Sequence, residues 1–267
     1  MSKPSGAIDM TRGKPINLML RFALPMMIGS IFQSLYSMVD SAVLGRFVGS
    51  HALAAIGATT STTGLILLLA TGVTSAISIV LSQYVGANDT DRVRKGIVAS
   101  GWITLLLGVV LGLISVFAAR PLMQLLKTPE DVIDMSVLYI QIVCGCGIAQ
   151  FAYNAAASIL RALGDSKTPL YFLILCSILN VILDLISVIG LNMGVAGVAV
   201  ATVGSQAISA VICILVMFRK YPNLMPKRHT LRPDMPVSLK IFGMGAQMAL
   251  QSLFLSDGMM VITRVIN

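Results

Sequence analysis

From Phe172 to Ile189 the chain reads FLILCSILNVILDLISVI, an apolar run that would pass for a plain membrane-spanning helix except for Asn180 and Asp184. A run of this length matches the hydrocarbon core of a bilayer, which takes about 20 helical residues to cross. In lipid no water is available to the backbone, so the segment must satisfy its own N–H and C=O groups, and a helix does this within one stretch. Six further apolar runs constrain the rest of the chain in the same way. Helices are expected at residues 17–48, 52–84, 94–118, 133–159, 168–190, 195–218 and 239–267. The breakers between them agree: Gly86 to Asp89, Pro121 to Pro129, Gly164 to Pro169, Gly190 to Gly197, and Pro222 to Pro236. The fold class is an all-α membrane protein with a six-helix transmembrane bundle.

Composition excludes the soluble classes. Hydrophobic residues make up 56% and charged residues 11%, with mean hydropathy +0.88, whereas a soluble domain carries about 25% charged residues. The net charge of +8 does not point to nucleic acid, because the basic residues sit between apolar runs and form no patch. They orient the chain instead. Lys3, Arg12, Lys14, Arg21, Arg92, Arg94, Lys95, Arg161, Lys167, Arg219, Lys220, Lys227, Arg228, Arg232 and Lys240 fall at one end of the spans. Only Arg46, Arg120 and Lys127 fall at the other, and Arg264 lies in the last span. This bias predicts a multi-pass protein of the plasma (inner) membrane with its N-terminus and the 219–238 loop in the cytoplasm. Residues 1–16 are too polar for a cleaved signal, so the first span serves as an uncleaved one. Cys144, Cys146, Cys176 and Cys213 lie in apolar runs without C-x-x-C spacing and are expected to pack.

Acids inside such runs carry the functional information. A carboxylate at the bilayer centre costs roughly 2.5 to 3.5 kcal/mol on insertion scales, so it is expected to have a partner and a task. Asn180 and Asp184 share one helical face. Asp40 is the other acid within a comparably apolar segment of residues 1–218. On ideal helices Asp40 rises ~33 Å and Asp184 ~24 Å from the cytoplasmic end, while Thr202 lies ~10 Å below the outer surface, which puts all three in the outer half. Tyr139 reaches a similar level, and Asn154 lies deeper. Carboxylate, amide and hydroxyl oxygens are hard-cation ligands, and paired carboxylates also hold a proton, so Na+ or H+ can bind there. Tyr36 shares a face with Asp40 and can donate to it. The plainer alternative is that both acids only hydrogen-bond neighbouring helices. Pro25 should kink the first span, as a hinge below Asp40 or as a static bend. Gln33, Gln150, Gln206 and Thr59 to Thr63 either line a polar cavity or make local bonds. Gly108 and Gly112 fit a small-residue packing motif.

Three motifs in order carry a resemblance: Val39-Asp-Ser-Ala-Val-Leu-Gly45 after Pro25, Leu160-Arg-Ala-Leu-Gly-Asp-Ser-Lys-Thr-Pro169, and Met193-Gly-Val-Ala-Gly-Val-Ala-Val-Ala-Thr202. Together the chain resembles the multidrug and toxic compound extrusion (MATE) transporters, in particular the bacterial and archaeal branch with its cation site in the N-terminal bundle. The resemblance implies that Asp40, Asn180, Asp184 and Thr202 bind Na+ or H+, with Tyr139 and Asn154 in the polar network around them. It also implies antiport of drug-like, often cationic compounds, no enzymatic activity, no cofactor beyond the coupling ion, and two six-helix bundles. A lipid-linked saccharide flippase of the same superfamily is the alternative, for which a more cationic cavity is expected. An intramembrane aspartyl protease is disfavoured because Asp184 follows Val-Ile-Leu and not G-x-G.

An internal repeat supports the two-bundle plan. Gln33-Ser-Leu-Tyr recurs 218 residues later as Gln251-Ser-Leu-Phe, and the same offset carries Pro15 onto Pro233. Residues 1–218 are therefore expected to form the N-terminal bundle and 219–238 a basic, Pro-rich cytoplasmic loop. Residues 239–267 read as the first helix of a second bundle whose remainder is required in cis. That last helix carries Asp257, Gly258 and Arg264 and is expected to be loosely attached.

Overall fold

The computed structural model describes residues 14–224, 226 and 231–266, and the side chains of all of these except 253 and 255–266. The side chains of Asp257 and Arg264, and the basic residues Lys3, Arg12, Lys227 and Arg228, lie outside the described residues. Among the described residues eight α-helices follow one another: α1 (Pro15–Phe47), α2 (Ser50–Gly86), α3 (Thr90–Leu125), α4 (Glu130–Gly145), α5 (Ile148–Ala162), α6 (Lys167–Asp184), α7 (Gly194–Lys220) and α8 (Met235–Ile266). A π-helical segment, Leu185–Gly190, continues α6. No strand occurs among the described residues. Among the described residues, five helices are long and apolar enough to cross a membrane, and α4 with α5, bent by 43°, passes as a sixth when taken as one span.

The starts and stops follow from local chemistry. Pro15 opens α1, where its missing N–H costs nothing. Asp89 caps α3 by accepting from the Arg92 N–H at 3.0 Å. The α1–α2 link is two residues long, and Gly49 turns it with φ +111°, a conformation that a side chain disfavours.

The fourth expected span is not one helix. It breaks between Gly145 and Ile148, where two glycines flank Cys146 and weaken the helix. Gly108 and Gly112 explain why the break is tolerated there. A Cβ on Gly112 would stand 2.9 Å from the Gly145 carbonyl oxygen, and one on Gly108 would stand 3.0 Å from Ile148 Cα. The small-residue motif of α3 thus seats the bend. Cys144 and Cys213 are buried as expected, but Cys146, at the bend itself, is exposed.

The last helix corrects the expectation of a loosely attached tail. α8 lies along α2 and touches α3, burying Val237, Ile241 and Ala249. Backbones meet closely because of two glycines: Cβ atoms would come within 2.8 Å of Ala249 N at Gly72, and within 3.0 Å of Val73 Cγ2 at Gly245. The preceding segment is held as well. Arg94 donates to the Asn223 carbonyl at 2.7 and 3.0 Å, Trp102 Nε1 to the Leu231 carbonyl at 2.9 Å, and Lys95 pairs with Asp234 at 2.9 Å. That pair and the Val237 N–H together hold the Asp234 carboxyl below the usual carboxylate range. Small residues let helices approach where lipid offers no hydrophobic drive between them. Gly72→Val should therefore force α8 outward, at a cost of about 2 kcal/mol, or a fall in Tm of roughly 6 °C. Thermal unfolding of the purified chain in detergent measures this, and an unchanged Tm would contradict close α2–α8 packing.

Candidate functional site

α1 supplies the first half of the site. It lies against α6 and leaves most of its surface uncovered, with Met19, Leu24, Met27 and Met38 more than half exposed. It runs unbroken through Pro25, which is buried. Asp40 sits near its far end, on the face turned to α6. There its carboxyl group lies near the carboxyl of Asp184, with no hydrogen bond between the two. Tyr36, one turn before Asp40 on α1, and Tyr139 on α4 lie in the neighbourhood of both acids.

α6 and α7 supply the second half. Asn180 and Asp184, one turn apart, are both fully buried, and Thr202 is nearly so. Asn180 Nδ2 reaches toward Thr202 Oγ1 at 3.5 Å, while that hydroxyl donates to the Val198 carbonyl at 2.9 Å. Directly after Asp184 the helix widens into the π-helical segment, closed by Leu191 N–H to the Ile186 carbonyl at 3.0 Å. Such widened turns are rare and recur at functional sites. Against it lies Gly197, whose Cβ would stand 3.1 Å from Ser187 Cβ, so α7 approaches closely.

The polar atoms of this cluster are conspicuously unpaired. Asp40 Oδ1, Asn180 Oδ1 and both Asp184 carboxylate oxygens are buried with no hydrogen-bond partner. Orphaned buried acceptors cost about 1–3 kcal/mol each, more when charged. Two neighbouring carboxylates cannot both keep their charge in an apolar setting without a cation between them or a shared proton. The donor set is all oxygen and suits a hard monovalent cation or a proton; no cluster of three or more His, Cys, Asp or Glu side chains that would suit a transition metal is found among the described residues. Immediately beyond the acids, Val43, Leu44, Ala52, Val188, Val195 and Val198 form a buried apolar cluster. It closes the site toward the end of the bundle that holds Gly49 and Leu191.

Of the residues singled out in the sequence, Asp40, Asn180, Asp184, Thr202, Tyr36 and Tyr139 converge. Three do not. Asn154 turns to its own helix, donating to the Gln150 carbonyl at 2.9 Å. Gln33 and Pro25 face a separate cavity nearer the other end. Thr59 to Thr63 divides, with Thr59 and Thr62 buried and Thr60 exposed. Sequence reasoning missed a stripe on α1: Ser30, Ser34, Ser37 and Ser41 are exposed, and each hydroxyl donates to the carbonyl four residues earlier. Their spacing of four, three and four was the available signal.

Comparison with known proteins gives the same architecture. The MatE family model matches residues 25–186. The probable multidrug resistance protein YpnP of Bacillus subtilis (strain 168) is 32% identical over 98% of this chain and 58% of its own length. The multidrug export protein MepA of Staphylococcus saprophyticus is 23% identical over 89% of this chain and 52% of its own length. A solved multidrug resistance MATE family transporter of the MOP superfamily, in an outward-facing conformation, superposes with TM-score 0.89 at 25% identity, covering 97% of this chain and 57% of that one. A MOP superfamily transporter from Pyrococcus furiosus superposes with TM-score 0.87, also at 25% identity, over 97% of this chain and 57% of its own. The chain thus spans somewhat more than half the length of the relatives it matches. With the family model covering most of α1 through α6 and the full bundle superposing on a MATE transporter, the chain belongs to the MatE family of multi-span membrane transporters.

Proposed function

We propose that this chain forms the ion-binding bundle of an antiporter that exports drug-like, often cationic compounds in exchange for Na+ or H+. The observation that carries the reading is the set of four buried, partnerless oxygens on Asp40, Asn180 and Asp184. A cation bound there would be held by Asp40, Asp184 and the Asn180 carbonyl oxygen, with Thr202 at the edge. A proton would be shared between the two carboxyl groups, with Tyr36 and Tyr139 donating to whichever oxygen stays charged. Because α1 carries one acid and α6 the other, ion binding pulls the two helices together and ion release lets them part. Coupling then consists of a change in the position of α1, the least covered helix of the bundle, between ion-bound and ion-free states.

The substrate path is proposed to run along the uncovered faces of α1 and α2. The exposed serine stripe of α1 and Thr60 on α2 are polar where a lipid-facing helix would be apolar. Such a face suits an aqueous cleft shared with a second bundle, for which residues 219–238 are the connection and α8 the first helix, as in parallel-repeat transporters. That bundle would be needed in cis. The bias of basic residues toward Arg92, Lys167 and Lys220 supports a cytoplasmic position for that end, in the plasma membrane. Drug accumulation in a pump-deficient bacterial host tests the reading, with the chain expressed alone and joined in one polypeptide to the second half of a relative. Imposed Na+ or pH gradients should drive efflux only when both halves are present. Efflux that ignores both gradients would defeat the coupling.

A further inference from the structure

A second polar site lies away from the acids, and we propose that it binds a phosphate group, carried by a lipid headgroup or by a free anion. A cavity of about 140 Å3 opens between α1, α5 and α6, lined among others by Pro25, Gln33, Tyr153, Arg161 and Ser166. Arg161 was legible in the sequence only as a loop charge, but it sits in the last turn of α5 and is half-buried in the cavity wall.

The charge of Arg161 is uncompensated. One guanidinium nitrogen donates to Ser158 Oγ at 2.9 Å, and among the described residues no carboxylate pairs with it. The ionisable groups that face it, the Tyr153 phenol and the Cys213 thiol, are neutral groups. The acid nearest in sequence, Asp165, is engaged elsewhere: its carboxylate takes Lys220 Nζ at 2.6 Å and Thr168 by both N–H and hydroxyl. A half-buried guanidinium without a counter-ion retains four further N–H donors in a planar fork that matches phosphate oxygens.

Ser166 is the independent second mark. It is 4% exposed, and its hydroxyl is buried with no partner. It also opens α6, a helix of 18 residues, whose N-terminal dipole end favours an anion. The remaining polar groups of the wall are spoken for: Tyr153 donates to the Pro169 carbonyl at 3.2 Å and Ser30 to the Met26 carbonyl at 3.2 Å. What is left to meet a ligand is the Arg161 fork, which only donates, with the Ser166 hydroxyl and the Gln33 amide, each able to donate. The wall has no carboxylate, and the volume accepts a phosphate group with its first substituents. The cavity opens beside α1 toward the end of the bundle where α5 ends and α6 begins, an end rich in basic residues that a lipid headgroup or an aqueous anion could approach.

The test uses the purified chain in detergent, with unfolding temperature and native mass spectra as readouts. Inorganic phosphate is titrated against chloride at constant ionic strength, and short-chain phosphatidylglycerol against diacylglycerol of the same chains. Saturable stabilisation by at least one phosphate-bearing probe is expected. Arg161→Gln should weaken it at least about tenfold, since one partner of a desolvated charged contact is lost. Ser166→Ala should weaken it several-fold, Arg161→Lys should fall between, and Lys167→Gln, on the exposed neighbour, should leave it unchanged. A response to phosphatidylglycerol alone identifies a lipid, and a response to inorganic phosphate identifies a free anion. Should Arg161→Gln fail to fold, Arg161→Lys and Ser166→Ala decide. No saturable response to either probe, or equal responses in the parent chain and these variants, would overturn the proposal. Asp184→Asn should bind the probes as the parent does, which separates this site from the proposed ion coupling.

Discussion

Replacing Asp184 with asparagine is expected to abolish ion-coupled efflux in the two-half expression system while leaving the amount of protein in the membrane unchanged. Asp184 is fully buried and brings two of the four orphaned oxygens. Asparagine keeps the shape but removes the charge and turns one acceptor into a donor. Losing one charged partner of a desolvated contact costs ~3 kcal/mol, roughly a hundredfold in cation affinity. Insertion should not suffer, because the neutral amide is less costly in an apolar span than the acid. Isothermal titration with Na+, and proton release on drug addition, report the loss directly. Drug resistance at the parental level, with normal expression, would show that the acids only hold helices together, the alternative that the sequence leaves open. Asp40→Asn should act in the same direction. If the two carboxyls form one site, the double variant should be no worse than either single one.

How far this site could be read beforehand depends on which physical signal each part emits. An acid inside an apolar run is conspicuous, so Asp40, Asn180 and Asp184 stand out from residue order alone. Their meeting follows from counting helix rise from a common end. Thr202 and Tyr139 could be placed by the same count. The same count sets Asn154 deeper than the acids but does not show where its side chain goes, because its own helix turn supplies its partner and that contact leaves no trace in periodicity. The π-helical segment after Asp184 also has no signature in LISVIG, which is as good an α-helix as its surroundings. The bend between α4 and α5 did have one, in the two glycines around Cys146, but the apolar run across it is continuous and hides the break. The close seating of α8 was missed for a related reason. Hydropathy says that a helix is buried in lipid or protein, whereas Gly72 and Gly245 say which helix it touches, and pairing glycines across 170 residues needs the fold.

The motif around Asp165 was legible as family likeness and illegible as physics, and it leads to the largest expected stability effect. Asp165 is fully buried, and Lys220, at the last turn of α7, lies 2.6 Å from its Oδ2. Thr168 and the Tyr221 hydroxyl complete the carboxylate's shell, at 2.7 and 3.3 Å. The network ties the α5–α6 connection to the end of α7. Burial alone would raise the carboxyl's pKa, but the bonds from Lys220 and Thr168 outweigh it and hold the group below the usual carboxylate range. The sign follows: the folded pKa is depressed, so the stabilisation is complete above the unfolded value of about 3.9 and is lost as pH falls through the lower folded one. Lys220→Met removes the cation and leaves a buried carboxylate, which should cost ~3–5 kcal/mol at neutral pH. Without Lys220, burial dominates and the carboxyl's pKa rises instead. The variant then recovers stability relative to the parent as the pH is lowered and Asp165 takes up a proton. Unfolding temperatures in detergent between pH 7.5 and about 4.5 measure the gap, which should be widest at the alkaline end and narrow toward the acid end. Asp165→Asn combined with Lys220→Met should restore most of the loss, because no uncompensated charge remains. A gap independent of pH, or a double variant as unstable as Lys220→Met alone, would mean that the lysine acts through packing of its stem and not through the carboxylate.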